Sequence, residues 1–148
     1  MVVEVSFRKE GRLAMANLEK VEGIGEVYGK KLRDAGVSNT EMLLEAGSTR
    51  KGRDELAAKT EIASRLILEW VNHVDLFRVK GVGEEYADLL EASGVDTVPD
   101  LARRRADNLH KKMAEVNGEK KLVRRLPSEK QVQEWIDLAR DLPRKIQY

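Results

Sequence analysis

The sequence predicts an all-α protein in which one helical unit is written twice, and three observations carry that reading. Sliding the chain against itself by about 58 residues sets Leu18 on Leu76, Val21 on Val79, Gly23 and Gly25 on Gly81 and Gly83, and Tyr28 on Tyr86. Apolar residues recur at three- and four-residue intervals, as in Leu66, Ile67, Trp70, Val71 and Val74 and again in Val132, Trp135, Ile136 and Ala139. That is the period of a helix with one buried face. Helix signals supply the third observation: Ser38 before Glu41 and Ser128 before Gln131 fit capping boxes, and Gly36 and Gly94 suit left-handed C-terminal caps.

Taken in order, residues 1–17 form an N-terminal extension. Val3, Val5 and Phe7 alternate there with Glu4, Ser6 and Arg8, the period of a half-buried strand, so the piece is either strand-like or a frayed or partner-paired extension. The first copy, residues 18–75, reads as helices over Glu26–Ala35, Thr40–Ala46, Arg50–Lys59 and Ser64–Val74. The second, residues 76–142, reads as helices over Glu84–Ser93, Val98–Arg105, Asp107–Val116 and Glu129–Asp141, followed by a tail over 143–148. Short helical stretches are expected to lead into both glycine pairs.

The register also sets Leu32 on Leu90, Gly36-Val37 on Gly94-Val95 and Leu43 on Leu101. Glu69-Trp70-Val71 then answers Glu134-Trp135-Ile136 at a larger offset, which places an insertion in the second copy around Lys111 to Arg125. Both tryptophans read as core, and so do Tyr28 and Tyr86 on the inner side of the helix after each turn. With no linker between Asp75 and Leu76, the two copies are expected to pack as one compact helical double domain.

Composition bounds the chemistry. Over 148 residues, 41% hydrophobic and 36% charged with a net charge of +1, the chain has enough apolar material for a core but no overall cationic coat. Any polyanion-binding surface must be local. The absence of cysteine excludes disulfides, thiol nucleophiles and thiolate metal sites. No apolar run approaches a membrane span and MVVEVSFRKEGR lacks the features of a signal peptide, so a cytoplasmic location is expected. His73 and His110 stand alone, without a partner at metal-ligand spacing. Glu22 with Glu26, and Glu84 with Glu85, come nearest to a carboxylate pair, and surface helix charge accounts for them. No enzyme, metal or cofactor is expected.

The glycine pairs carry the main functional question. In Val-x-Gly-x-Gly-x-x-Tyr, the first glycine can leave a helix through a left-handed conformation and the second lets the next helix begin unobstructed. Amides at that helix start lack intrahelical partners and sit at the positive end of the helix dipole, where an anion can be held. A dinucleotide fingerprint fails, because Gly29 comes one residue late after Gly23 and Gly25 and no βαβ unit surrounds them. A nucleotide-hydrolase phosphate loop fails because no Gly-Lys-Ser/Thr follows.

Over Leu18–Val37 and Leu76–Val95 the pattern resembles the paired helix-hairpin-helix motif of proteins that hold DNA by its backbone. With the Thr-x-x-Leu segments and the Glu-Trp-Val and Glu-Trp-Ile helices included, almost the whole chain looks like an uncharacterised prokaryotic family of tandem helix-hairpin-helix domains. The resemblance implies phosphate contacts from the amides of Gly23, Ile24 and Gly25, and of Gly81, Val82 and Gly83. The chain departs from DNA-binding versions in placing Glu26 after Gly25 and Glu84-Glu85 after Gly83, where a basic or small polar residue is common. Lys20, Lys30, Lys31 and Lys80 are the nearby cations that can compensate.

Charge is concentrated further on. Arg103, Arg104, Arg105, Lys111, Lys112, Lys120, Lys121, Arg124 and Arg125 are answered by only Asp107, Glu115 and Glu119. Two functions remain open: sequence-independent binding of a nucleic-acid backbone, DNA before RNA, through these cations and the turn amides, or a protein-interaction adaptor whose turns are purely structural. Charge runs pair with protein faces as readily as with phosphates. The scarcity of aromatics in the basic segment disfavours single-strand stacking.

Overall fold

In the computed structural model, which describes residues 17–148, the chain is all-helical. The strand-like reading of Val3–Phe7 lies outside the described residues. A 3-10 turn over Leu18–Lys20 precedes eight helices among the described residues: α1 (Gly25–Asp34), α2 (Thr40–Gly47), α3 (Arg50–Thr60), α4 (Ser64–Leu76), α5 (Glu84–Ala92), α6 (Val98–Ala102), α7 (Ala106–Lys120) and α8 (Glu129–Asp141). They form two compact units. The first runs up to Asp75 and also takes Lys145–Tyr148; the second is Leu76–Arg144.

Each unit closes over its own apolar face. Leu18, Leu32, Leu43, Ile67, Val71 and Trp70 are buried in the first, and Leu90, Leu101, Met113, Val132, Ile136 and Trp135 in the second. At roughly 1.5–3 kcal/mol per fully buried large side chain, these stripes are what hold short helices that would not persist alone. Trp70 and Trp135 are 3% and 2% exposed, so both are packing residues.

Helix ends follow local chemistry. After α1, the Val37 amide bonds the Leu32 carbonyl at 2.9 Å and the Gly36 amide bonds the Arg33 carbonyl at 2.9 Å, with Gly36 at φ +91°. After α5 the same two bonds join Val95 to Leu90 and Gly94 to Glu91, with Gly94 at φ +95°. This is the Schellman closure, and buried Val37 and Val95 supply its apolar contact. Ser128 caps α8 by accepting from the Gln131 amide at 3.1 Å.

One cap and two helix ends differ most from the sequence expectation. The cap of α2 is Asn39, whose Oδ1 accepts from the Met42 amide at 2.9 Å, and not Ser38. Asn39 sits where the backbone is extended immediately before the first helical residue, which is where a capping side chain must be. Helix α6 stops at Ala102 and not Arg105, because Arg105 takes an extended conformation as the entry to α7. Helix α7 runs on to Lys120, past Val116. It has 15 residues against 11 in α3, the helix before the tryptophan-bearing one in the first unit.

The last four residues complete the first unit. Ile146 is 2% exposed, the Gln147 amide bonds the Ser48 carbonyl at 2.7 Å, and Tyr148 Oη donates to Asn72 Oδ1 at 3.2 Å. Arg53, only 4% exposed, donates to the carbonyls of Gly47 at 2.8 Å and Gln147 at 3.0 Å, and its guanidinium lies 6.0 Å from the Tyr148 ring centre. A buried cation is tolerable only when its donors are met in this way.

Candidate nucleic-acid interface

The two glycine turns share a plan. Gly23 and Gly81 have φ of +93° and +95°, and the residue after each, Ile24 or Val82, is buried as a plug while the glycines stay exposed. Behind each turn stands a tryptophan: a β-carbon on Gly23 would meet Trp70 Nε1 at 3.4 Å, and one on Gly81 would meet Trp135 Nε1 at 3.0 Å. The indoles also pack on the tyrosines, with ring centres 5.2 Å apart for Tyr28 and Trp70 and 5.1 Å for Tyr86 and Trp135. Glycine, tyrosine and tryptophan thus form one repeated packing cluster.

The turns differ at their second glycine. Gly25 has φ +57° and opens α1, whereas Gly83 is extended at φ −96° and serves as the N-cap of α5. Neither helix start has a side-chain cap. The Ile24 and Val82 amides donate within their own turns, to Val21 at 3.2 Å and Val79 at 3.0 Å. They are therefore engaged, while the amides of Gly23, Gly25, Gly81 and Gly83 make no such backbone bond among the described residues.

Gly29, which had suggested a dinucleotide motif, has a local purpose. A β-carbon there would lie 2.6 Å from Glu19 Oε2, so glycine lets the Glu19–Arg33 pair cross over α1. Arg33 grips both Glu19 oxygens, at 2.6 and 2.8 Å, and this pairing holds the Glu19 carboxyl below its ordinary pKa and the Arg33 guanidinium above its own. Lys30 pairs with Asp34 at 2.8 Å, which leaves Lys31 as the exposed cation of α1 without an ion pair among the described residues.

The basic segment of the second unit divides in two. Arg104 bonds Asp100 and the Gly94 carbonyl, Arg103 approaches Asp100 at 3.8 Å, and Arg105 pairs with Asp107 at 2.8 Å. Of the three, only Arg104 ties α6 to another element, the end of α5; the pairs of Arg103 and Arg105 are local. Asp96, exposed as a residue, has its carboxyl pushed above the ordinary range by partial desolvation and by the Asp100 and Glu91 carboxylates, against which Arg104 works. Lys111, Lys112, Lys120, Lys121, Arg124 and Arg125 are all exposed and make no ion pair among the described residues. Glu115 and Glu119 share the exposed side of α7 and dilute that surface without pairing with it.

The stretch between α7 and α8, which carries Arg124 and Arg125, is fastened by three side chains. Asn117 takes the Val123 amide at 2.9 Å and donates to the Val123 carbonyl at 3.2 Å. The His110 Nε2 lies 2.8 Å from the Pro127 carbonyl, and Tyr86 Oη donates to the Arg125 carbonyl at 3.1 Å. Sequence reasoning missed all three anchors. The isolated position of His110 was a sign of a structural role, but nothing in the spacing joins Tyr86 to Arg125.

A family model described as a domain of unknown function, DUF4332, matches residues 22–142. The chain belongs to that family. The match takes in both glycine turns, both tryptophans and the basic loop of this DUF4332 chain. Neither curated proteins nor solved structures provide a match to it. Among the described residues of the DUF4332 chain, no group of three or more His, Asp or Glu side chains is placed to hold a metal, and no helix is long and apolar enough to cross a membrane.

Proposed function

We propose that the second unit binds the sugar-phosphate backbone of nucleic acid, duplex DNA before RNA, without reading sequence and without catalysis. One observation carries this reading: six exposed cations, Lys111, Lys112, Lys120, Lys121, Arg124 and Arg125, have no ion-pair partner among the described residues, and the loop bearing the last two is held in place. A fixed loop loses little conformational freedom on binding, so more of its electrostatic attraction survives as affinity. The resemblance to paired helix-hairpin-helix modules supports the same reading. The Gly81 and Gly83 amides are candidates to add a phosphate contact, opposed by Glu84 and Glu85. No aromatic lies between Lys111 and Arg125, which favours a paired backbone over stacked single strands.

The test is fluorescence anisotropy of labelled duplex, single-stranded DNA and structured RNA at several salt concentrations. The expected result is a logarithm of affinity that falls linearly with log salt, by about 0.9 per phosphate neutralised on duplex DNA. Arg124→Glu with Arg125→Glu should remove most of that binding while the fold persists. Absence of binding at low salt would end this reading.

A protein-interaction adaptor is the second reading. It is favoured by a shallow groove of about 570 Å³ in the first unit, lined by Ala35, Gly36, Val37, Glu41, Met42, Glu45 and Ala46, with Met42 42% exposed.

A further inference from the structure

We propose that Tyr86 is a positioning residue for nucleic-acid binding, its hydroxyl setting how Arg124 and Arg125 are presented. This inference rests on the backbone-binding reading above. Its basis is a contrast between two otherwise matching tyrosines. Tyr28 and Tyr86 occupy equivalent places, each half-buried and each tilted against its tryptophan, at 56° in the first unit and 53° in the second. The ring alone satisfies that packing, so phenylalanine would serve it. Only the second hydroxyl has further work among the described residues: it donates to the Arg125 carbonyl at 3.1 Å, across 39 residues of sequence, whereas the Tyr28 hydroxyl makes no hydrogen bond.

The geometry gives that bond leverage. Asn117 holds Val123 and His110 lies on Pro127, which flank the two arginines, but neither makes a hydrogen bond to residues 124 or 125. Among the described residues, Tyr86 makes the one side-chain hydrogen bond to the stretch between those two anchors, at the backbone of one of its arginines. Its side chain springs from the first turn of α5, so the arginines are tied to the helix that Gly83 opens. Releasing the hydroxyl would leave both charges in place but let their backbone wander, and binding would then have to order it.

The experiment is a double-mutant cycle read by anisotropy with a labelled mixed-sequence DNA duplex, using the whole 148-residue chain. Tyr86→Phe should weaken binding by roughly 2- to 10-fold, the range for one neutral hydrogen bond. The salt dependence should become shallower, by at most about 1.8, the value for two phosphates. Tyr28→Phe should change neither. In a background of Arg124→Ala with Arg125→Ala, Tyr86→Phe should have no further effect, because the side chains it positions are gone.

An equal loss in both backgrounds would mean that the hydroxyl serves general stability, and the positioning role would be refuted. Unchanged affinity for Tyr86→Phe in a protein that binds DNA would refute this inference and leave the binding reading standing. If the unaltered protein fails to bind duplex at low salt, both fall together.

Discussion

Trp135 stands tight against Gly81: the indole nitrogen lies 3.0 Å from where a β-carbon on Gly81 would be, so a side chain there would have to shift the ring by a few tenths of an ångström. At the equivalent place in the first unit the gap between Trp70 and Gly23 is 3.4 Å, ordinary van der Waals contact. Both glycines have positive φ, so alanine is strained at either one by about 1–2 kcal/mol. Gly81→Ala must in addition push the tryptophan. It should therefore lower stability more than Gly23→Ala when the two are compared by urea unfolding. Equal losses would show that backbone strain alone sets the penalty.

The cap of α2 offers a clean comparison between neighbours. Asn39→Ala removes the bond to the Met42 amide and should cost about 0.5–2 kcal/mol, while Ser38→Ala, which makes no capping bond, should leave the melting temperature nearly unchanged. The reverse order would return the cap to Ser38.

Two carboxylates should give opposite acid behaviour. Glu19 has a depressed pKa through Arg33, so its contribution is present above the ordinary glutamate pKa and lost as pH falls through the lowered folded value. Asp96 has a raised pKa, so its contribution is complete below the ordinary aspartate pKa and lost as pH rises through the folded value. Asp96→Asn should accordingly stabilise the protein at neutral pH and lose that advantage in acid. Carbon-detected NMR titration of the two carboxyls checks both directions, and a Glu19 midpoint at or above the ordinary value would contradict its pairing with Arg33.

Removal of Lys145–Tyr148 should destabilise the first unit. The truncation exposes the surface that covers Ile146 and takes from the buried Arg53 its acceptor on Gln147. A loss on the order of 3 kcal/mol is expected from one buried aliphatic side chain and one charge-assisted hydrogen bond. Hydrogen exchange should speed up in α3 and leave α7 unaffected; uniform acceleration would mean that the tail supports more than its own unit.

Periodicity and capping chemistry make the helices legible in the sequence. The bounds of α8 follow from Ser128 and the Val132, Trp135, Ile136 and Ala139 stripe, and the Schellman ends follow from Gly36 and Gly94. Ser38 and Asn39 are both good caps, and the choice between them depends on which residue meets the extended backbone, which pattern alone does not encode. Arg103 and Arg104 look like part of one cationic run in sequence, yet Asp100, one turn earlier, approaches both, and folding brings the Gly94 carbonyl to Arg104. The anchors of the basic loop were illegible for the same reason. Tyr86 and Arg125 are distant in the chain, and only packing of α5 beside the loop joins them.

The return of the last four residues to the first unit also orders events in time. A ribosome releases residues from the N-terminus onward, so the helices up to Asp75 emerge before Ile146 and the Gln147 carbonyl that Arg53 meets have been made. Synthesis of the intervening unit takes on the order of several seconds. During that interval the first unit must persist with an unfinished surface, and its final stability is acquired only when Lys145–Tyr148 arrive.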